Sequence, residues 1–162
     1  MDDDHRYMSR ALELAQEAAD VGEVPVGAVV VHGGEIIAEA FNRRESWQEP
    51  TAHAELIAVE RAAEHLGSWR LEECTVYVTL EPCPMCAGML VNARVDRLVF
   101  GASDPKAGAV RSLFALVEDP RLNHRMEVRS GVMSDPCGTI LSEFFQAIRR
   151  RRRRAKQEQN EE

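Results

Sequence analysis

The stretch Thr75-Val-Tyr-Val-Thr-Leu-Glu-Pro-Cys-Pro-Met-Cys86 decides the fold. Its first six residues alternate in the manner of a β-strand, and Pro84 suits the opening position of a helix, where its missing N–H would go unpaired anyway. The spacing predicts a helix from Pro84 to about Ala93 and a strand over Arg97–Phe100. A strand, a helix and a strand in that order favour parallel pairing of the two strands, hence an α/β architecture. Upstream, Ala54, Ile57, Ala58, Ala62 and Leu66 mark one stripe of a helix that starts near Thr51 or Ala52, capped by Thr51, and stops before Gly67. Earlier still, strands at Val26–Val31 and Ile36–Asn42 flank the turn His32-Gly33-Gly34-Glu35 as a hairpin. A helix from about Asp4 to Asp20, ended by Gly22, precedes it. Downstream the pattern predicts a loop over Ala102–Val110, a short helix around Ser112–Val117 and a strand near Glu127–Val132. A last helix begins near Asp135 or Pro136 and carries Ile140, Leu141, Phe144, Phe145 and Ile148.

Two motifs in this framework carry chemistry, His53-Ala54-Glu55 and Cys83-Pro-Met-Cys86. In mid-helix His53 and Glu55 would point to nearly opposite sides. At the first turn both reach past the helix end, because helical side chains lean toward the N-terminus. Cys83 and Cys86, three apart, share a helix face. One imidazole and two thiolates form a zinc-type ligand set with three members, whereas a structural zinc site closes its tetrahedron with four. The fourth place is then open to water, which points to catalysis. A helix N-terminus lowers cysteine pKa and so favours the thiolates that zinc requires. Two thiolates also cancel the charge of Zn²⁺, so the water is acidified less than in an all-histidine site, where its pKa falls to roughly 7. That leaves Glu55 the task of taking the proton. A lone Cys-x-x-Cys would suit a redox protein or half of a structural zinc site; His53, Glu55 and Pro82 tip the reading toward catalysis. His5, His32, His65 and His124 read as surface or hydrogen-bonded residues, and Cys74 and Cys137 as ordinary thiols, buried or partly buried.

At 162 residues with 44% hydrophobic content, the chain suits one domain of globular type. The first residues show neither the basic nor the apolar region of a secretory signal, and no apolar run is long enough to span a membrane. Four cysteines that include a metal-type pair argue for a reducing compartment. The net charge of −7 conceals an asymmetry: residues 1–148 hold 13 Lys/Arg and 24 Asp/Glu, whereas 149–162 hold seven and three. Six consecutive arginines, Arg149 to Arg154, account for most of that reversal. We therefore divide the chain into a domain over 1–148 and a basic tail over 149–162 that continues the last helix and frays. A tethered arginine cluster suits phosphate and bases, although a solvated terminal extension would look the same.

The two motifs match the signature of the zinc-dependent nucleoside and nucleobase deaminases. Further blocks narrow the match: Glu23-Val-Pro-Val-Gly-Ala28, Pro50-Thr-Ala-His-Ala-Glu55, Tyr77-Val-Thr-Leu-Glu-Pro-Cys-Pro-Met-Cys-Ala-Gly88, Val99-Phe-Gly-Ala102, Asn123-His-Arg125 and Phe144-Phe145. Nearly end to end, the chain resembles the bacterial-type tRNA adenosine deaminases, which convert adenosine to inosine at the wobble position of an anticodon. The resemblance implies a three-layer α/β/α sandwich with a mixed five-stranded sheet, cytidine-deaminase-like, in a cytoplasmic homodimer. It also implies one Zn²⁺ per subunit, with the tRNA anticodon loop as partner and no membrane.

Residue by residue, the resemblance assigns His53, Cys83 and Cys86 to zinc and Glu55 to proton shuttling. Asn42 and the backbone N–H of Ala54 would contact the flipped base. Val24 and Phe145 would line the pocket or touch the loop, though core packing explains either as well. Asp104 and Lys106 lie in the segment that faces nucleotides in the family, yet an exposed Asp-Pro turn also accounts for Asp104. Arg149, Arg150, Arg151 and Arg152 would meet the RNA backbone. One departure stands out: relatives commonly carry a basic residue directly after the paired phenylalanines, where this chain has Gln146. A free-base or nucleoside deaminase acting on guanine or cytosine shares the same motifs, and a non-catalytic zinc-stabilised RNA-binding module is the alternative from another class.

Overall fold

In the computed structural model, which describes residues 2–162, α1 (Asp3–Asp20) is followed by the hairpin β1 (Gly27–His32) and β2 (Glu35–Phe41). Then come α2 (Arg44–Trp47), α3 (Ala54–Leu66), β3 (Cys74–Leu80), α4 (Pro84–Asn92), β4 (Arg97–Ala102), β5 (Glu127–Arg129) and α5 (Ser134–Glu161). The strands form one sheet in the order β2-β1-β3-β4-β5. β1 pairs antiparallel with β2 and β3, while β3, β4 and β5 run parallel. The sheet is therefore mixed, as expected.

Alternation along the strands sorts the layers, because successive side chains leave opposite faces of a sheet. Ala28, Val30, Val76, Val78, Leu98 and Phe100 pack with Ile57 and Ala58 of α3 and Leu90 of α4. Their neighbours Val29, Val31, Tyr77 and Val99 face the other way, onto Tyr7, Met8 and Leu14 of α1 and Cys137 of α5. Fully burying a valine, leucine or phenylalanine stabilises by about 1.5–3 kcal/mol, so both faces hold substantial cores. At Gly27 the approach of α1 is so close that a Cβ would lie 2.0 Å from the Ala11 carbonyl oxygen.

A buried carboxylate fastens the start of α1 to the sheet. Asp4 accepts from Tyr77 Oη at 2.7 Å, from both terminal nitrogens of Arg97 at 2.7 and 2.9 Å, and from Arg129 at 2.6 Å. The hydrogen bond from Arg97 leads in holding Asp4 well below the ordinary carboxylate range, against the opposing effect of burial.

Several segments depart from the sequence expectation. Helix α3 begins at Ala54 with His53, not Thr51, as N-cap. The short helix expected over Ser112–Val117 is absent and turns take its place. The amides of Leu113 and Leu116 donate to Gly108 O at 2.9 Å and Ala109 O at 3.0 Å, five and seven positions back, rather than to the carbonyl four positions back that a helix would use. Strand β5 stops at Arg129 rather than Val132, just before Gly131 at φ +78°. Helix α2 was not expected: the amides of Glu45 and Ser46 both donate to the buried Glu23 carboxylate, which nucleates this single turn. Cys74 and Cys137 are buried free thiols, as read from the sequence.

Candidate active site and metal centre

The two chemical motifs lie at the same end of the sheet. Strand β3 ends at Leu80 beside Ala102, the end of β4, and Gly27 at the start of β1 pairs with Phe41 at the end of β2. The segments after β2, β3 and β4 therefore emerge together, along with the one before β1. Helices α3 and α4 both start at this end, with His53 and Cys83 as their N-caps. An N-cap position favours Ser, Thr, Asp or Asn, whose side chains cap the free amides. Neither His53 nor Cys83 makes such a bond. Their side chains turn toward one another instead.

His53 Nδ1 lies 3.6 Å from Cys83 Sγ and 3.6 Å from Cys86 Sγ, and one ligand atom from each residue falls within 4.8 Å of the others. Ordinary zinc–sulfur and zinc–nitrogen bonds meeting at a tetrahedral angle give a nitrogen–sulfur edge of about 3.6 Å. The donor set thus fits a tetrahedral zinc by both chemistry and spacing. The hydrogen bond from Cys86, with a further contribution from His53, brings Cys83 down to about 4, into the thiolate range. Cys86 is pushed up by the same bond to Cys83 and by burial. His53 is raised by its hydrogen bond with Cys83.

Glu55, second residue of α3 and 4% exposed, stands beside this cluster but not in its ligand set. Burial raises its pKa, opposed by a hydrogen bond from its own backbone N–H and by the charge of His53. A carboxyl whose protonated form is favoured by its surroundings suits proton transfer rather than metal binding.

The other expected site residues divide into two groups. Asn42 is buried just past β2, donating from Nδ2 to the Val24 carbonyl at 3.3 Å and accepting from the Arg44 amide at 3.2 Å. A side-chain amide has two donors and two acceptor lone pairs, so Asn42 retains one N–H and one lone pair for a ligand. Val24 is half-buried and joined to Asn42 by that bond. Ala54 is buried at the first position of α3, where a helical amide has no intrahelical partner. Ala54 directly follows His53, and the Arg43 amide donates to Ala52 O at 3.0 Å, which holds the segment carrying Asn42 against the start of α3. Asp104 instead accepts from the amides of Lys106 and Ala107 at 3.0 and 3.2 Å, a local turn that uses its side chain, while Lys106 is exposed. Phe145, 41% exposed, packs edge-on against Phe144 at 5.6 Å between ring centres. Arg149, Arg150, Arg151 and Arg152 are exposed on α5. Glu23 and Glu81, buried carboxylates that organise the loops at this end, were not singled out from sequence. Glutamate directly before Pro-Cys is the one local hint for Glu81.

Residues 2–149 match the MafB19-like deaminase family. The tRNA-specific adenosine deaminase of Bacillus subtilis (strain 168) is 49% identical over 161 residues, covering 99% of this chain and 100% of that protein. The chain belongs to the tRNA-specific adenosine deaminases. Another member, from Haemophilus influenzae, is 49% identical over 147 residues, covering 90% of this chain and 85% of the relative. Among solved structures, one from biochemical and structural studies of A-to-I editing by tRNA:A34 deaminases at the wobble position of transfer RNA has a TM-score of 0.81. It is 43% identical and covers 84% of this chain and 99% of the other. As a tRNA-specific adenosine deaminase by family, the chain is an enzyme, and its three-layer fold with a mixed five-stranded sheet is that of the cytidine-deaminase-like group.

Proposed function

We propose that this chain hydrolytically deaminates adenosine to inosine at the wobble position of a tRNA anticodon, using one Zn²⁺ per subunit held by His53, Cys83 and Cys86. The observation that carries the reading is the convergence of those three ligand atoms within 4.8 Å beside a buried carboxyl that is not one of them. Near-complete coverage of relatives named for tRNA adenosine supports the substrate. Zinc, when bound, supplies the Lewis acidity that makes water nucleophilic near neutral pH.

Glu55 takes one proton from the attacking water and delivers it to N1 of the adenine, then takes the remaining proton of the added hydroxyl and delivers it to the departing amine. Adenosine and water thus give inosine and ammonia. The spare N–H and lone pair of Asn42 orient the base, and the Ala54 amide donates to the purine. Such a buried site cannot reach a base inside a duplex, so the substrate presents an unstacked adenosine in a loop, where extrusion costs least. Val24 and Phe145 border that loop, Asp104 shapes the turn that displays Lys106, and Arg149–Arg152 meet the RNA backbone. The protein works as a cytoplasmic homodimer, with residues 149–162 as a basic extension of the 1–148 domain. No helix among the described residues is long and apolar enough to cross a membrane.

The test is to incubate zinc-loaded protein with an anticodon stem-loop, with guanine and with cytosine, measuring ammonia and sequencing for adenosine-to-inosine change. Conversion of the stem-loop alone is expected; turnover of a free base without the stem-loop refutes the proposal. Affinity for the stem-loop should also fall with salt by a slope of roughly 0.7 per neutralised phosphate.

A further inference from the structure

Besides Glu55, a second buried glutamate sits next to the metal motif, and the mechanism does not use it. Glu81, 2% exposed, lies between β3 and Pro82, two residues before Cys83. Its carboxylate accepts from the amides of Asp104 at 3.0 Å, Val110 at 3.1 Å, Arg111 at 2.8 Å and Ser112 at 2.9 Å, and from the Ser112 hydroxyl at 2.5 Å. An ionised carboxylate offers about four lone-pair directions, so five donors leave none for substrate or proton transfer. At Gly108 a Cβ would lie 2.3 Å from the Glu81 carboxyl carbon. The chain therefore passes directly over the carboxylate. Two backbone bonds reinforce it: the Glu81 amide donates to Ala102 O at 2.9 Å, and the Ala109 amide donates to Pro82 O at 2.8 Å. Both ends of the segment from Asp104 to Ser112 are thus tied to one side chain, and Lys106 is displayed at its exposed turn.

We propose that Glu81 is a positioning residue for RNA: by gathering the amides of 104 and 110–112 beside the cysteine motif, it sets the place from which the 104–112 loop contacts the substrate. This deepens the proposed function and rests on it. The prediction is a split between binding and chemistry, since the proton route through Glu55 and the ligands His53, Cys83 and Cys86 do not include this carboxylate. Glutamine at 81 would turn an NH₂ group toward a cage of donors and lose the loop's anchor without changing the side chain's size.

The experiment compares zinc-loaded full-length wild type, Glu81→Gln, Ser112→Ala and Lys106→Ala, together with the Glu81→Gln, Lys106→Ala double variant. Kd for a fluorescent anticodon stem-loop comes from anisotropy, and the saturating rate from single-turnover inosine formation. For Glu81→Gln we expect one zinc per chain, a Kd raised tenfold or more, and a saturating rate within about threefold of wild type. Ser112→Ala, which keeps the carboxylate and removes one donor, should raise Kd less but in the same direction. Lys106→Ala should weaken binding in the wild type and add little in the Glu81→Gln background. Unchanged Kd in both Glu81→Gln and Ser112→Ala overturns the assignment, as does a loss confined to the saturating rate or to zinc content. Should Glu81→Gln fail to fold, Ser112→Ala alone decides. Because Kd is read without turnover, a wild type that binds but does not deaminate sinks the proposed reaction and leaves this inference tested.

Discussion

Glu81 also makes a quantitative prediction about stability. In the unfolded chain its carboxyl has the ordinary value of 4.5, and in the fold it is held at about 2. Burial alone would push it up, but the Ser112 hydroxyl and the amides of Arg111, Asp104 and Ser112 outweigh that. A carboxylate depressed on folding adds stability that is fully present above its unfolded value and is lost as pH falls toward the folded one. This separation corresponds to about 3 kcal/mol at neutral pH, of which about 1 kcal/mol has gone by pH 3.5. Glu81→Gln removes the titration. Urea unfolding of wild type and variant at a series of pH values from 7 down to 3.5 should therefore show a gap of about 3 kcal/mol that narrows by about 1 kcal/mol. Other acid-sensitive groups, the metal ligands included, act in both proteins and cancel in the difference. A gap that stays constant or widens toward low pH would refute the reasoning, because the cage of donors would then not be stabilising an ionised carboxylate.

Glu55→Gln should keep zinc at one per chain yet slow single-turnover deamination by about 10²- to 10⁴-fold, the usual contribution of a positioned acid–base group; a near-normal rate with zinc retained excludes the proton route. Cys86→Ser should lower zinc content together with activity, measured by metal analysis of the purified protein, since it removes one of the three proposed ligands that converge among the described residues. Asp4→Ala strips a carboxylate from Arg97, Arg129 and Tyr77 and should cost about 3 kcal/mol, lowering Tm by roughly 6–12 °C in a scanning experiment; a shift under 2 °C would show that the network contributes little. Replacing Arg149–Arg152 with alanine should reduce the salt dependence of stem-loop binding by a slope of up to about 3.

Local pattern made much of this protein legible. The β3-α4-β4 unit could be read from Thr75 to Phe100 because strand alternation, Pro84 at a helix start and a second apolar strand each reflect nearest-neighbour geometry. His53, Glu55, Cys83 and Cys86 were legible because metal chemistry tolerates few side-chain types and their spacing within each motif is short. The failures share a cause. Ser112–Val117 has helical composition, yet the amides of Leu113 and Leu116 go to Gly108 O and Ala109 O in a loop whose Ser112 is held by Glu81, about thirty positions earlier in the chain. Helix α2 exists because Glu23 reaches its amides across some twenty positions. Thr51 is a better cap by type than His53, but the start of α3 is fixed by a ligand turned toward two sulfurs on another helix.

By itself the sequence determined which atoms are available: one imidazole, two sulfurs, one carboxyl, and the strands and helices that carry them. Only the tertiary structure decided that the imidazole and the two sulfurs meet, and that Glu81 is taken up by five donors while Glu55 stands buried beside that cluster outside its ligand set. The two glutamates are chemically identical in the unfolded chain. Their different surroundings are built by distant segments, one offering five donors and the other burial beside His53 and the two cysteines, and no local pattern records which amides will arrive.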